Sequence, residues 1–541
     1  MNKDQQLDRL EVNISRQGET GPITDPEEIR RLWDQTFETD NLRLIFNTRV
    51  KASKTGLLKK SVGLDFITPA AFERNLEENL QIISRKVKNN TYSFTRFKLV
   101  LINKGPGKAP RELRIPTVRD RITITAMADF ARKVLGPGCE IPRGRNIISS
   151  IIRDRNKYRG FVKTDISGFF KSIPHEQMHE LLERKFCHSG IVELFCRCMS
   201  TGSLEYPPSA VNNPHTPSPK GIPEGLSFSG FLANSYLENL DHKYSARKDL
   251  RYFRFVDDIL ILTDSSASSG IRKELKEDMA KLELTLSDEK TLNGLMTDQF
   301  DYLGYVFDGD LISMREKSIA KVQNGLASFI RDTAVRTNRE IAELKQFLKD
   351  EKSEGFINCR KIVYEEAQVA INRRITGFKL GSVYYSWLNY YRLINDLSLL
   401  GTLDGMVAKL LRKYGLDQHI KPKKYLKAYN ELIHNPDTGY IPDLTGISEF
   451  ILPTDENEAS EKKYQISLSS ELIKEIATVI GWNSEKYRYR PKQFCTEAMS
   501  CAFSAGFKIE IKDGKLNIDL KELKRKIIRG LSRDIEDNKG V

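Results

Sequence analysis

The 541 residues carry 86 Lys and Arg against 73 Asp and Glu, a formal charge of +13, with 39 % hydrophobic and 29 % charged residues. That length calls for several packed units, and no apolar run approaches the roughly 18 residues that span a bilayer, so the composition describes a globular chain and excludes a helical membrane protein. The seven cysteines are odd in number and form no C-x-x-C pair, which argues against a disulfide framework or zinc ribbon, and the cationic surplus suits a polyanionic partner such as nucleic acid.

The polar first twenty residues lack the apolar core of a secretory signal, which points to a cytoplasmic protein. A Thr-Asp-Pro start signal predicts a helix over Asp25 to Phe37. From Thr68-Pro69 the spacing of Phe72, Leu76, Leu80 and Ile83 is helical, and Phe94 to Ile102 then alternates as a strand. Val162 to Ile166 and Tyr252 to Thr263 read as strands, and Glu176 to Phe186 and Phe228 to His242 as helices. Pro207, Pro208, Pro214, Pro217 and Pro219 mark the segment between them as a loop. The alternation makes an α+β unit. From Ser318 strand signals vanish and helical periods dominate to about Tyr414. A basic run, Lys421 to Lys427, follows, then loops and predicted helices at Leu472 to Ile480 and Leu520 to Leu531.

Three carboxylates stand out. Asp165 ends an apolar strand, and the adjacent Asp257 and Asp258 sit between Phe255-Val256 and Ile259-Leu260-Ile261. Neighbouring carboxylates flanked by apolar residues are costly, because repulsion and desolvation both oppose ionisation, and a divalent cation resolves the cost. A Val-Asp-Asp-Ile centre fits a tight turn between two strands, which lifts the pair to the sheet edge opposite Asp165. Hard oxygen ligands suit Mg²⁺, with Mn²⁺ able to substitute. Two ions about 3.5–4 Å apart would stabilise both the attacking and the leaving oxygen of an in-line displacement. Alone, the Asp-Asp pair reads more readily as a solvated turn.

Six blocks in order carry a resemblance to reverse transcriptases over roughly Gly63 to Tyr414. Asp165-Ile-Ser-Gly-Phe-Phe resembles the first catalytic block and Phe255-Val-Asp-Asp the Tyr-x-Asp-Asp block, with Phe in place of Tyr. Arg111-Glu-Leu-Arg-Ile-Pro resembles the fingers segment, and Gly221-Ile-Pro-Glu-Gly-Leu-Ser the template-gripping turn. Leu286-Ser-Asp-Glu-Lys-Thr resembles the block after the catalytic hairpin, and Tyr302-Leu-Gly-Tyr the primer grip.

The resemblance implies an RNA-directed DNA polymerase that binds metal through Asp165, Ile166, Asp257 and Asp258. It places Arg111, Phe170, Glu224, Gly225 and Lys290 around the incoming deoxynucleoside triphosphate (dNTP), and Tyr302, Leu303 and Gly304 at the primer. Arg offers a bidentate fork and Lys a point charge to a triphosphate. Phe170 falls where the family keeps a ring beneath the sugar, and Glu224 where it usually has Gln, so a negative charge would stand near a nucleotide. The implied architecture is a right hand, with an N-terminal extension to residue 60, fingers and palm over 61–314, a helical thumb over 315–415 and a mainly α accessory domain over 416–541. RNA template, or a dedicated noncoding RNA, and DNA product are the implied partners, and some members assemble as oligomers. With no integrase, ribonuclease H or H-N-H signature, the chain is similar to abortive-infection and unknown-group enzymes of bacterial antiphage defence. The alternatives are a group II intron-type maturase and a non-catalytic nucleic-acid scaffold.

Two other patterns compete. His175-Glu-Gln-Met-His179 matches H-E-x-x-H, which on a helix would hold zinc, but no clear third ligand follows at metzincin spacing. Cys187, His188, Cys196 and Cys198 are spaced too tightly for an ordinary zinc knuckle and lie among Leu194 and Phe195, which predicts packing.

Overall fold

The structure, a computed structural model, describes residues 22–51, 62–205, 219–434, 440–442, 509–512 and 515–518, apart from residues 104, 106, 108, 349, 381 and 382. The chain divides into two compact units, Met1–Asp298 and Gln299–Val541. Both mix helices with antiparallel strands, so the fold is α+β.

The first unit is built around one helix. In chain order its main elements are helix α1 (Pro26–Thr36), helix α2 (Leu76–Lys88), strands β1 (Phe97–Ile102) and β2 (Arg111–Ile115), helix α3 (Val118–Leu135) and strand β3 (Gly160–Asp165). Helices α4 (His175–Phe186) and α5 (Ser189–Met199), strand β4 (Ser203–Glu205), and helices α6 (Ser229–Tyr236) and α7 (Glu238–Ser245) follow. Strands β5 (Arg251–Phe255) and β6 (Asp258–Thr263), helix α8 (Ser268–Lys281) and strand β7 (Leu292–Leu295) complete it. Helix α3 starts where the Thr117 side chain accepts from the Asp120 amide, and it stops at Gly136. Most of its residues are buried, the polar Asp120, Thr123 and Thr125 among them, which fits a central helix. Phe130 on it meets Trp33 of α1 edge-on at 4.8 Å and Phe186 of α4 at 5.2 Å. Asp120 is fully buried there and is held by the Tyr92 and Thr117 hydroxyls.

The sheet that positions the acidic residues runs in the order β5-β6-β3-β7, all antiparallel. Ile259, Leu260, Ile261 and Leu262 of β6 are all fully buried, the pattern of a central strand covered on both faces. A second sheet, β2-β1-β4, carries the basic Arg111 to Arg114 segment.

The second unit holds the meander β8 (Phe300–Tyr302), β9 (Tyr305–Asp308) and β10 (Leu311–Met314), then the long consecutive helices α9 (Glu316–Leu348) and α10 (Glu354–Thr376). Strands β11 (Phe378–Leu380) and β12 (Val383–Tyr385), helices α11 (Leu397–Lys413) and α12 (Tyr425–His434), and the hairpin β13 (Ile509–Lys512) with β14 (Lys515–Ile518) follow.

Four details depart from the sequence reading. The 68–83 pattern is two helices, Pro69–Glu73 capped by Thr68 and then α2. The 228–242 pattern breaks at Leu237, whose φ of −96° and ψ of 5° leave the helical region while the apolar period continues across it. The span 318–414 is not all helical: Gly377 ends α10 and the β11–β12 hairpin follows, with three-residue strands too short to show an alternation. A β hairpin lies at 509–518 in the region expected to be mainly α, whereas the helices expected at 472–480 and 520–531 and most of the proline-rich loop lie outside the described residues. Among the described residues no helix is long and apolar enough to cross a membrane.

Candidate metal and nucleotide site

The site begins with a strand pairing. Asp165, the last residue of β3, lies opposite Asp258, the first of β6, and Asp258 also pairs with Phe255 of β5. Val256 and Asp257 are therefore the two central residues of a hairpin turn. Val256 has φ of +59°, a conformation rare for a β-branched residue, and such strain persists only where surroundings enforce it. Arg254 is part of that enforcement. It is buried, its Nη1 donates to the Val256 carbonyl at 3.0 Å, and its Nε donates to Asp241 on α7 at 2.7 Å.

The carboxylate oxygens of Asp165, Asp257 and Asp258 come within 4.8 Å of one another. Burial, with repulsion from its neighbours second, pushes the Asp258 carboxyl up to about 6, and burial together with Asp165 raises Asp257. Lys290 and Arg111 oppose the rise at Asp257. Two half-buried carboxylates that resist ionisation, beside the buried Asp165, are a donor set suited to a hard divalent cation. The Ile166 amide donates to the Asp257 carbonyl at 3.0 Å, which puts the Ile166 main chain beside the cluster while its side chain is buried.

Lys290 reaches this cluster from a short turn after α8. Its Nζ lies 2.6 Å from Asp165 Oδ2. The turn is fixed by the Ser287 amide on the Asp165 carbonyl and by the Thr164 and Thr291 hydroxyls, 2.7 Å apart. Phe170 lies in the one-turn helix that follows Asp165, half-buried and edge-on to Phe169 at 5.7 Å.

Arg111 opens β2 and pairs with Glu224, Nε to Oε2 2.8 Å. The Glu224 main chain is pinned by the Arg114 amide on its carbonyl. Gly225 has φ of +101°, and a side chain there would meet the Arg114 carbonyl at 3.3 Å. Its freedom is thus needed for approach to strand β2, a neighbour the sequence did not name.

Tyr302, Leu303 and Gly304 belong to the second unit. Tyr302 is buried and paired with Tyr305, and Leu303 (φ +48°) and Gly304 (φ +85°) make a two-residue turn with both φ values positive. The Tyr390 hydroxyl donates to the Leu303 carbonyl at 2.7 Å.

The competing patterns come apart. His175 Nε2 lies 2.7 Å from the Gly221 carbonyl, and His179 faces Glu183 at 3.7 Å. Among the described residues the aspartate trio is the group of three that metal-ligand geometry brings together, and the cysteines at 187, 196 and 198 are free. In the basic run, the ammonium groups of Lys423 and Lys427 lie over the Tyr440 ring, 4.5 and 4.7 Å from its centre. Arg254, Asp241 and Thr291 were missed as site supports. An arginine between Phe253 and Phe255 in an apolar strand was the one signal for them.

Residues 102–307 match the family described as reverse transcriptase (RNA-dependent DNA polymerase). Over 411 residues the chain is 23 % identical to the group II intron-encoded protein LtrA of Lactococcus lactis subsp. cremoris, covering 60 % of this chain and 67 % of that protein. It is 23 % identical over 249 residues to the putative COX1/OXI3 intron 2 protein of Saccharomyces cerevisiae, covering 42 % of this chain and 27 % of that one. Telomerase from Candida albicans with a fragment of telomeric RNA aligns at TM-score 0.36 and 11 % identity, covering 81 % of this chain and 67 % of that one. Truncated apo telomerase from Candida tropicalis aligns at TM-score 0.32 and 14 % identity, covering 41 % of this chain and 55 % of that one, so this chain spans about half of that structure. The domain at 102–307 is that of an RNA-directed DNA polymerase. It is a reverse transcriptase domain with group II intron-type relatives.

Proposed function

We propose that the chain copies RNA into DNA by two-metal-ion catalysis, with Mg²⁺ held by Asp165, Asp257 and Asp258 and the Ile166 main chain alongside. The observation that carries this is the convergence of three carboxylates within 4.8 Å at the β3–β6 register pair. When bound, the ions would lower the cost of ionising the primer hydroxyl and balance charge on the leaving pyrophosphate. Arg111 and Lys290 are the cations for the triphosphate, Phe170 the ring beneath the sugar, and Tyr302, Leu303 and Gly304 the primer contact. In this assignment residues 61–314 act as fingers and palm and 315–415 as thumb, with 416–541 an accessory part, and Mn²⁺ can substitute for Mg²⁺.

The test is primer extension by the full chain on an RNA template with dNTPs. Extension that needs Mg²⁺ or Mn²⁺, stops with chelator and prefers deoxynucleotides supports the reading. Extension that survives the chelator refutes it.

For the biological role, similarity over 60 % of the chain to a group II intron-encoded protein favours work on an intron-like, structured RNA. The antiphage-defence role rests on the motif resemblance alone, as do a dedicated noncoding RNA and a homo-oligomer. Sequencing the RNA that copurifies with the protein separates the two roles.

A further inference from the structure

Both cations assigned to the triphosphate are already engaged. Lys290 sits on Asp165, a partner that metal would compete for. Arg111 sits on Glu224, a residue outside the metal cluster. The second pairing is built in by the fold. Glu224 cannot drift from β2, because its carbonyl receives the Arg114 amide at 3.0 Å and Gly225 packs against the same strand. Its side chain is 19 % exposed, while that of Arg111 is 54 % exposed. The anion is the fixed partner and the cation the movable one.

A neighbouring ion pair reinforces the arrangement. Glu112, next along β2, accepts from Lys171 Nζ at 2.8 Å, and Lys171 follows Phe170 directly. The Phe170 carbonyl in turn receives the Ile222 amide at 2.7 Å. Consecutive residues of one strand are thus tied to the two segments that frame the nucleotide position.

We propose that Glu224 is a resident counter-ion that an incoming dNTP must displace from Arg111, so that this carboxylate sets the affinity for the nucleotide. The inference rests on the polymerase reading and names the regulation of its nucleotide site. A triphosphate offers Arg111 more charge than one carboxylate, so exchange is favourable, but every binding event gives up an existing ion pair. With a neutral amide at 224 that competition is gone. Exposed ion pairs are modest in strength, which sets the scale of the gain at about fivefold in affinity.

The experiment uses the full chain with an RNA template and a DNA primer ending in a dideoxynucleotide, so that dTTP binds without turnover. The dTTP concentration that protects the labelled complex from a competitor is measured for the parent, Glu224→Gln, Arg111→Gln and the double variant, after thermal unfolding shows that each is folded. The arginine variants are read at raised dTTP. The expected result is tightening of about fivefold by Glu224→Gln in the parent background and none in the Arg111→Gln background, the coupling that a shared ion pair requires. Equal tightening in both backgrounds would mean that Glu224 repels the triphosphate directly and would overturn the proposal. Unchanged or weaker binding by Glu224→Gln would overturn it as well. Failure of the polymerase reading looks different, since the parent itself would then form no dTTP-dependent complex.

Discussion

Asp165 and Asp258 are direct partners across the β3–β6 ladder, so two carboxylates meet at a register position where the strands end. That pairing stores repulsion in the metal-free protein. The Asp258 carboxyl is pushed up to about 6, from an ordinary 3.8, by burial first and then by Asp257 and Asp165. The unfolded chain loses this proton near pH 4 and the fold keeps it to about pH 6, so the metal-free fold loses stability as pH rises through that window. Asp258→Asn should therefore unfold later than the parent in chelator at pH 8, by on the order of 1 kcal/mol after discounting for partial exposure, with the difference gone below pH 4. Thermal unfolding at the two pH values checks this. Added Mg²⁺ should stabilise the parent and leave the variant nearly unmoved. A variant less stable than the parent at pH 8 would show the carboxylate to be well compensated.

The turn beside that pair holds a second reserve. Val256 sits at φ +59°, where glycine meets no strain, so Val256→Gly should gain about 1 kcal/mol of stability. The looser turn should also lower the incorporation rate by roughly tenfold, because small misplacements of reacting groups are expensive. Chemical unfolding and single-turnover extension, read together, check the opposite signs.

How much of this was legible in the sequence depends on the range of the interaction. Asp165, Asp257 and Asp258 were readable because charge inside apolar strands is conspicuous, and the turn at Val256-Asp257 followed from the same pattern. Arg254 with Asp241, and Thr164 with Thr291, were not, since a partner 13 or 127 residues away leaves no local period. The ion pair between Arg111 and Glu224 was hidden for the same reason, although both residues were singled out. The β11–β12 hairpin was lost between long helices because three residues cannot establish an alternation. The basic run was legible as charge alone, and not the packing around it: the Lys421 and Lys423 amides donate to Gln368 and Asn372 on α10, and the Lys423 ammonium lies over Tyr440.

Phe170 is half-buried in the one-turn helix that follows Asp165 and packs on Phe169, and in the proposed assignment its ring also faces the sugar. Phe170→Val should raise ribonucleotide use relative to deoxynucleotide use by roughly tenfold, because discrimination by a steric wall is lost when the wall shrinks. Competing incorporation of the two nucleotide kinds on one template measures the ratio. A fall in stability with an unchanged ratio would make Phe170 a packing residue.

The central claim is that DNA synthesis runs through the aspartate trio. Its most direct test is extension of a DNA primer on an RNA template by the Asp257→Ala, Asp258→Ala double variant with Mg²⁺, once thermal unfolding shows an intact fold. The account predicts a loss of at least about a thousandfold in incorporation, since metal ions supply several kcal/mol of transition-state stabilisation. Incorporation at the parent's rate would contradict it.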